Sequence, residues 1–222
     1  VIVRSASSWM ERPWRGVSTR SCKRCAPVSP VRPCAVRAES RISADSRRAL
    51  CVDVSHDRGM SYIGIAGYRE DGDPHVEVIA QRAGTAWVPS WFAEKESRRE
   101  WPVCLQAKGA PASSLLEELQ DVEGLTVVEW SGSALGAATG SFYDGVRCEP
   151  VVDEATKKPV VPARIRHRPQ PVLDIAAATA IIKPLGESYV WSRAKSPTDI
   201  APLFAVTGAF WTMLMPRSPI AA

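Results

Sequence analysis

The sequence predicts an α/β domain on a mixed central sheet, with antiparallel strands first, parallel strands after them, and helices on its flanks. Three observations carry this. Short alternating apolar runs separated by turn residues fill Ala49–Ala83. Two further apolar runs, PVCLQ at Pro102–Gln106 and LTVVEW at Leu125–Trp130, bracket a helical stretch. Apolar residues at helical spacing then dominate the C-terminal part of the chain.

The first strand is Leu50–Val54, the second Tyr62–Ala66 and the third His75–Ala83, with Glu70–Pro74 as the turn between the last two. His75 opens the third strand and is expected to be exposed. Thr85–Glu100 reads as a helix carrying Trp87, Val88, Trp91 and Phe92 on one side, which is core spacing. After the short strand at Pro102–Gln106, Pro111 starts a helix with Leu115, Leu116 and Leu119 on one face. The strand at Leu125–Trp130 then completes a βαβ crossover, for which parallel pairing is expected. Ser133–Val146 is a capped helix, Cys148–Arg164 a loop, and Pro171–Ile182 and Thr198–Met215 are helices separated by a bent segment around Trp191. This order of elements suggests an RNase H-like α/β fold for residues 46–217.

A chain of 222 residues that is 45% hydrophobic can bury one good core and carry a tail. It has no apolar run of eighteen residues and no signal-peptide core, which predicts no membrane span. Charge is divided unevenly. Residues 1–48 hold 11 Lys+Arg and 3 Asp+Glu out of totals of 28 and 24, so residues 49–222 hold 17 and 21, a net charge of −4. The basic excess belongs to residues 1–45, an irregular Arg/Ser/Pro/Cys-rich stretch with neither helical nor strand periodicity. It reads as a disordered segment or as a disrupted reading frame, in preference to a nucleic-acid-binding arm. Cys22 and Cys25 have C-x-x-C spacing without a second ligand pair, so zinc is not expected; Cys51, Cys104 and Cys148 read as small apolar residues.

Asp53 is the first residue that asks for chemistry. A carboxylate inside a buried strand loses hydration and needs a cation or strong donors, unless it sits at the strand end and caps the turn. In an RNase H-like arrangement a first-strand carboxylate meets acids from other elements to hold divalent metal. Two hard cations about 4 Å apart would activate a water and stabilise the leaving oxygen of a phosphodiester, and hard cations call for oxygen ligands.

The stretch His167–Trp211, HRPQPVLDIAAATAIIKPLGESYVWSRAKSPTDIAPLFAVTGAFW, resembles the C-terminal end of phage terminase large subunits. It has their histidine, a helix with a small-residue face, a Trp-containing strand ending in Arg, and an Asp opening a helix. Ala49–Val88 and GSALGAATGSFYDGV at Gly132–Val146 are similar as well, so the resemblance covers about residues 45–215. It implies a nuclease domain that cuts concatemeric double-stranded viral DNA for packaging in the bacterial host cytoplasm, with portal and small terminase subunit as partners. It implies Mg2+ or Mn2+ in a two-metal site. No G-x-x-x-x-G-K-[ST] loop occurs, so this chain is expected to be at most the nuclease half, from a truncated or frame-disrupted prophage gene.

Carried over by position, the resemblance makes Asp53 the first-strand ligand and Asp199 the acid that opens the last helix. Asp199 also reads as a plain helix cap, and the two roles are compatible. The family's second acid falls at Gln106, a neutral amide and a weaker ligand. Glu129 is the nearest acidic substitute, as catalytic acid or as a solvated edge carboxylate, and Asp57 is a further ligand or a turn former. Asp144 reads as a surface or outer acid. Arg164, Arg166, His167 and Arg168 are candidates for phosphate contact rather than catalysis. The expected function is a metal-dependent endonuclease with Asp53 and Asp199 as metal ligands; the departure at Gln106 leaves, as the alternative, a remnant that binds DNA or packaging partners without cutting. A resolvase-like nuclease fits the C-terminal stretch less well.

Overall fold

The computed structural model describes residues 39–146, 151–152, 156–157, 159–160 and 165–216; Arg164, Cys148 and residues 1–38 lie outside them. In chain order the elements begin with β1 Arg48–Val54, β2 Met60–Tyr68, β3 Pro74–Ala83 and α1 Trp87–Ala93. They continue with β4 Val103–Gln106, α2 Leu116–Gln120, β5 Val127–Trp130 and α3 Ser133–Val146. The pair β6 Val151–Val152 and β7 Pro159–Val160 follows, then α4 Pro171–Thr179, β8 Ile182–Leu185, β9 Ser188–Trp191 and α5 Ala201–Leu214.

Five strands form the main sheet in the order β3-β2-β1-β4-β5. The first three are antiparallel neighbours, and β1/β4 and β4/β5 are parallel, as the expected crossover requires. Strand alternation sorts the side chains into two cores. Leu50, Val52, Val54, Ile63, Val103 and Leu105 point to one face, covered by α1, the 3₁₀ turn Pro111–Leu115 and α2. Cys51, Tyr62, Ala66, Cys104 and Trp130 point to the other, under α3, α4 and α5. The result is an RNase H-like three-layer sandwich.

Several expected elements are shorter than the sequence suggested. The helix expected to reach Glu100 ends at Ala93, because Glu94–Glu100 offers no apolar residue to hold another turn on the sheet. Lys95 turns extended, and Arg98 folds back so that its guanidinium lies 4.0 Å from the Trp91 ring centre. The helix from Pro171 stops at Thr179, where Ala180 becomes extended. The segment around Trp191 is a β-hairpin, Ile182–Leu185 paired with Ser188–Trp191.

His75 corrects the expectation of exposure, since it is fully buried. Its Nδ1 is 2.7 Å from Ser40 Oγ and its Nε2 3.3 Å from Glu77, which fastens the chain entering the sheet to β3. The outer edge of β3 is also closed. Gln170 accepts from the Val78 N–H (2.9 Å) and donates to the Val78 carbonyl (2.8 Å), imitating a neighbouring strand.

The last helix, α5, lies across β1 and β2 and is buried along most of its length. Two glycines permit the approach. A methyl at Gly64 of β2 would sit 2.6 Å from the Ala205 carbonyl carbon, and one at Gly208 of α5 would collide with Cys51 Sγ and meet the Trp130 ring at 2.9 Å. Backbone cannot yield as a side-chain tip can. Gly64→Ala is therefore expected to destabilise the domain by about 2 kcal/mol or more in urea unfolding; a loss under about 0.5 kcal/mol would mean that α5 does not sit this close.

Candidate functional site

Strand register assembles the centre. Asp53 lies at the C-terminal end of β1, opposite Tyr62 of β2 in the antiparallel ladder. On the parallel side Val52 aligns with Leu105, which brings the end residue of β4, Gln106, beside Asp53. Both follow cysteines that face α5, so both project to the α5 side of the sheet. The chain leaves β1 for β2 on one side while β4 lies on the other, and such a divergence of connections at carboxyl strand ends opens a crevice.

Arg193 fills that place. Its Nη2 donates to Asp53 Oδ1 at 2.6 Å, its Nε to Asp53 Oδ2 at 3.3 Å, and its Nη1 to Gln106 Oε1 at 3.2 Å. The guanidinium carbon also lies 3.4 Å from the ring centre of Phe204 on α5. Local structure fixes the arginine. Trp191, at the end of β9, is buried and donates from Nε1 to Thr207 Oγ1 of α5 (3.1 Å). The next turn is closed by Ser196, whose N–H and hydroxyl both donate to the Ser192 carbonyl at 3.1 and 2.7 Å. Gln106 is held at its other end too, donating from Nε2 to the Lys108 carbonyl (3.1 Å).

The remaining acids stand in different relations to this group. Asp199 is exposed one residue ahead of Ile200, the N-cap of α5, and its Oδ1 accepts the N–H of the first helical residue, Ala201, at 2.9 Å. Burial first, and then the neighbouring Asp199 carboxylate, push the Tyr62 phenol well above its ordinary range. Asp57 shapes the β1–β2 turn, accepting from Ser55 Oγ (2.6 Å) and the Gly59 N–H (2.9 Å), which lowers its pKa. Asp57, Asp199, Tyr62, His56, Ser55 and Arg193 line one cleft of about 480 Å³.

The structure does not bring Glu129 to this cleft. It aligns with Leu105 in the β4–β5 ladder, one residue from the inward-facing Trp130, so alternation sends it to the opposite face of the sheet. Of the basic loop, Arg164 lies outside the described residues and two of the other three side chains are turned inward. Arg166 is buried and pairs with Asp73 through Nε and Nη2, both at 3.0 Å. His167 is buried, its Nδ1 2.7 Å from the Arg168 carbonyl, and burial lowers its pKa. Arg168 is half-exposed but donates to the Ser40 carbonyl at 2.7 Å. Asp144 lies on α3, away from the cleft lining.

A two-ion Mg2+ or Mn2+ centre needs several free carboxylate oxygens. Among the described residues no group of three or more His, Cys, Asp or Glu side chains is placed to hold a metal. Both oxygens of Asp53 and the Gln106 oxygen already serve the arginine. As folded, these residues do not fit a two-ion centre. In the sequence Arg193 is visible only as a cation two residues after the Tyr-Val-Trp run and ahead of the Asp199 helix.

The class of protein defined here is an RNase H-like α/β domain with a polar centre at its diverging strand ends. Its fold is that of large terminase nucleases. The chain matches the large terminase of bacteriophage HK97 with a TM-score of 0.59 and 15% identity, over 78% of this chain and 41% of that one. It matches the large terminase nuclease of thermophilic phage G20c with a TM-score of 0.53 and 12% identity, over 80% of this chain and 92% of that one. The G20c nuclease with bound magnesium gives 0.50 and 12%, over 80% and 91%. This chain thus spans 41% of the HK97 protein's length. No protein-family model and no curated protein sequence matches it.

Burial is the largest influence on Asp53 and raises its pKa to about 6; Asp199 pushes the same way, while the charge and hydrogen bonds of Arg193 pull it down. A raised carboxyl pKa means that the folded state holds the proton more tightly than the unfolded chain. Stability from this group is complete below its ordinary value of 3.8 and is lost as pH rises through about 6. Removing the guanidinium in Arg193→Ala should move the Asp53 midpoint above 6, and Asp199→Asn should lower it. Carboxyl-carbon NMR titration reads both, and an unmoved midpoint in Arg193→Ala would show that the pair is not formed.

Proposed function

We propose that this chain is the nuclease-fold part of a phage DNA-packaging machine acting on double-stranded DNA, and that its centre, as folded, does not cut. The packaging role and the DNA partner are supported by the fold shared with large terminases; portal and small terminase subunit stay, as the resemblance implied, the proposed protein partners. The absence of cutting rests on one observation: Arg193 satisfies Asp53 and Gln106 where a hydrolytic ion would need their oxygens. With a neutral amide at 106 and Glu129 on the other face, the acids that charge-rich phosphate hydrolysis calls for are reduced to Asp53 and Asp199. Phosphate contact passes from the buried Arg166 and His167 to Arg58 and Lys195, exposed residues next in sequence to cleft-lining ones.

A second reading, a metal-dependent endonuclease, is favoured by the placing of Asp199 at the same centre, close enough to raise the pKa of Asp53. Incubation of supercoiled plasmid with the purified chain in Mg2+ or Mn2+ separates the two. No nicking is expected. Nicking that Asp53→Ala and Asp199→Ala both abolish would replace the proposal with the endonuclease.

A further inference from the structure

The two edges of the main sheet are finished differently. Beyond β3, Gln170 clasps Val78, and the Arg166 backbone exchanges bonds with Pro74 and Val76, both at 2.8 Å. Beyond β5 no strand follows among the described residues. β5 engages β4 through alternate residues: the Thr126 carbonyl accepts the Val103 N–H (2.8 Å) and the Trp130 carbonyl accepts the Ala107 N–H (3.2 Å). Val127 and Glu129, out of phase with these, therefore turn their N–H and C=O groups outward, where a further extended segment can take them.

The surface around this edge carries one sign of charge. Residues 109–146 hold six Asp and Glu and no Lys, Arg or His. Glu117, Glu118 and Asp121 on and just after α2, Glu123 in the turn that follows, and Glu129 on β5 itself are all exposed. Arg99 reaches the turn at Gly124 but already donates to the Ala93 carbonyl (3.2 Å).

We propose that this edge seats the chain's own basic N-terminal segment, with Val17–Cys25 laid along β5. Residues 1–38 hold eight Lys and Arg against one Glu, a net charge of +7, the complement of the −6 across 109–146. Val17–Cys25 (VSTRSCKRC) brings three cations, Arg20, Lys23 and Arg24, and no proline to interrupt an added strand. The segment starts from the far edge, since Ser40 is tied to His75 of β3. The 13 residues 26–38 reach about 40 Å when extended, while β3 and β5 stand roughly 20 Å apart across four strand spacings. A tethered segment meets its seat at high effective concentration, so a weak ionic and backbone contact suffices. The contact is independent of whether the centre cuts DNA.

Trypsin reads the contact on the full chain, because it cleaves after Arg20, Lys23 and Arg24 only when the backbone there is free. Rates are taken from the released peptides by mass spectrometry and divided by the rate for a synthetic peptide of residues 15–27 in the same buffer. At about 20 mM salt, Glu118→Gln/Glu123→Gln/Glu129→Gln is expected to be cut at least about fivefold faster than the parent. The difference should vanish at about 0.5 M salt, where screening is short-ranged. Equal rates in parent and variant overturn the proposal and leave Glu129 as a charge that keeps an open edge from pairing. A parent rate that salt leaves unchanged relative to the peptide overturns it too, and this arm stands even if the variant unfolds. Protection that disappears on dilution, with a dimer in sedimentation, gives the seat to the segment of a second copy and overturns the own-chain assignment.

Discussion

The close approach of α5 to the sheet is the constraint on which the rest depends. A helix whose backbone nearly touches β2 at Gly64, with its own Gly208 against Cys51 and Trp130, has one seat and one rotation. That seat puts Asp199 at the start of α5 beside Tyr62, Phe204 beneath the arginine, and Thr207 where Trp191 can reach it. The hairpin β8–β9 is therefore registered on the same helix as the centre it serves. Side chains separated by more than a hundred residues meet because a single packing contact leaves them no alternative position.

Within that frame the centre is an electrostatic problem with an internal solution. Burial opposes ionisation of Asp53, and the neighbouring Asp199 adds to the opposition. The guanidinium answers with two bonds to the carboxylate and one to Gln106, and stacking on Phe204 compensates part of its own lost hydration. A metal would answer the same problem with more charge and would ask for more ligands.

The polar residues at the opposite end of β3 show how a suggestive constellation can be structural. Ser40, His75 and Glu77 line up by hydrogen bonds, and Arg69 also donates to Ser40 Oγ at 2.8 Å. Ser40 and His75 are both fully buried, which denies a substrate access to the hydroxyl. With Arg166–Asp73 and the Gln170 clasp on Val78, these bonds close the sheet edge and secure the incoming chain.

The strand pattern, the crossover and the limits of α3 were legible in the sequence because they rest on local periodicity and on turn residues. So was Asp53, since a carboxylate within an apolar run is conspicuous wherever it occurs. Helix ends were less legible, because they depend on where the sheet stops offering apolar contact, as at Ala93. Glu129 and Gln106 occupy the ends of adjacent strands, yet one faces the centre and the other faces away. A one-residue difference in phase decides this, and only register fixes phase. In the basic run at Arg166–Arg168, burial turned Arg166 and His167 inward and paired Arg166 with Asp73, which no local pattern announces, while Arg168 stays exposed. The sequence by itself determined the elements and the first acid. The tertiary structure alone decided that Arg193 would be the partner of that acid, because their meeting depends on a helix seat, a hairpin and a strand register acting over 140 residues of separation.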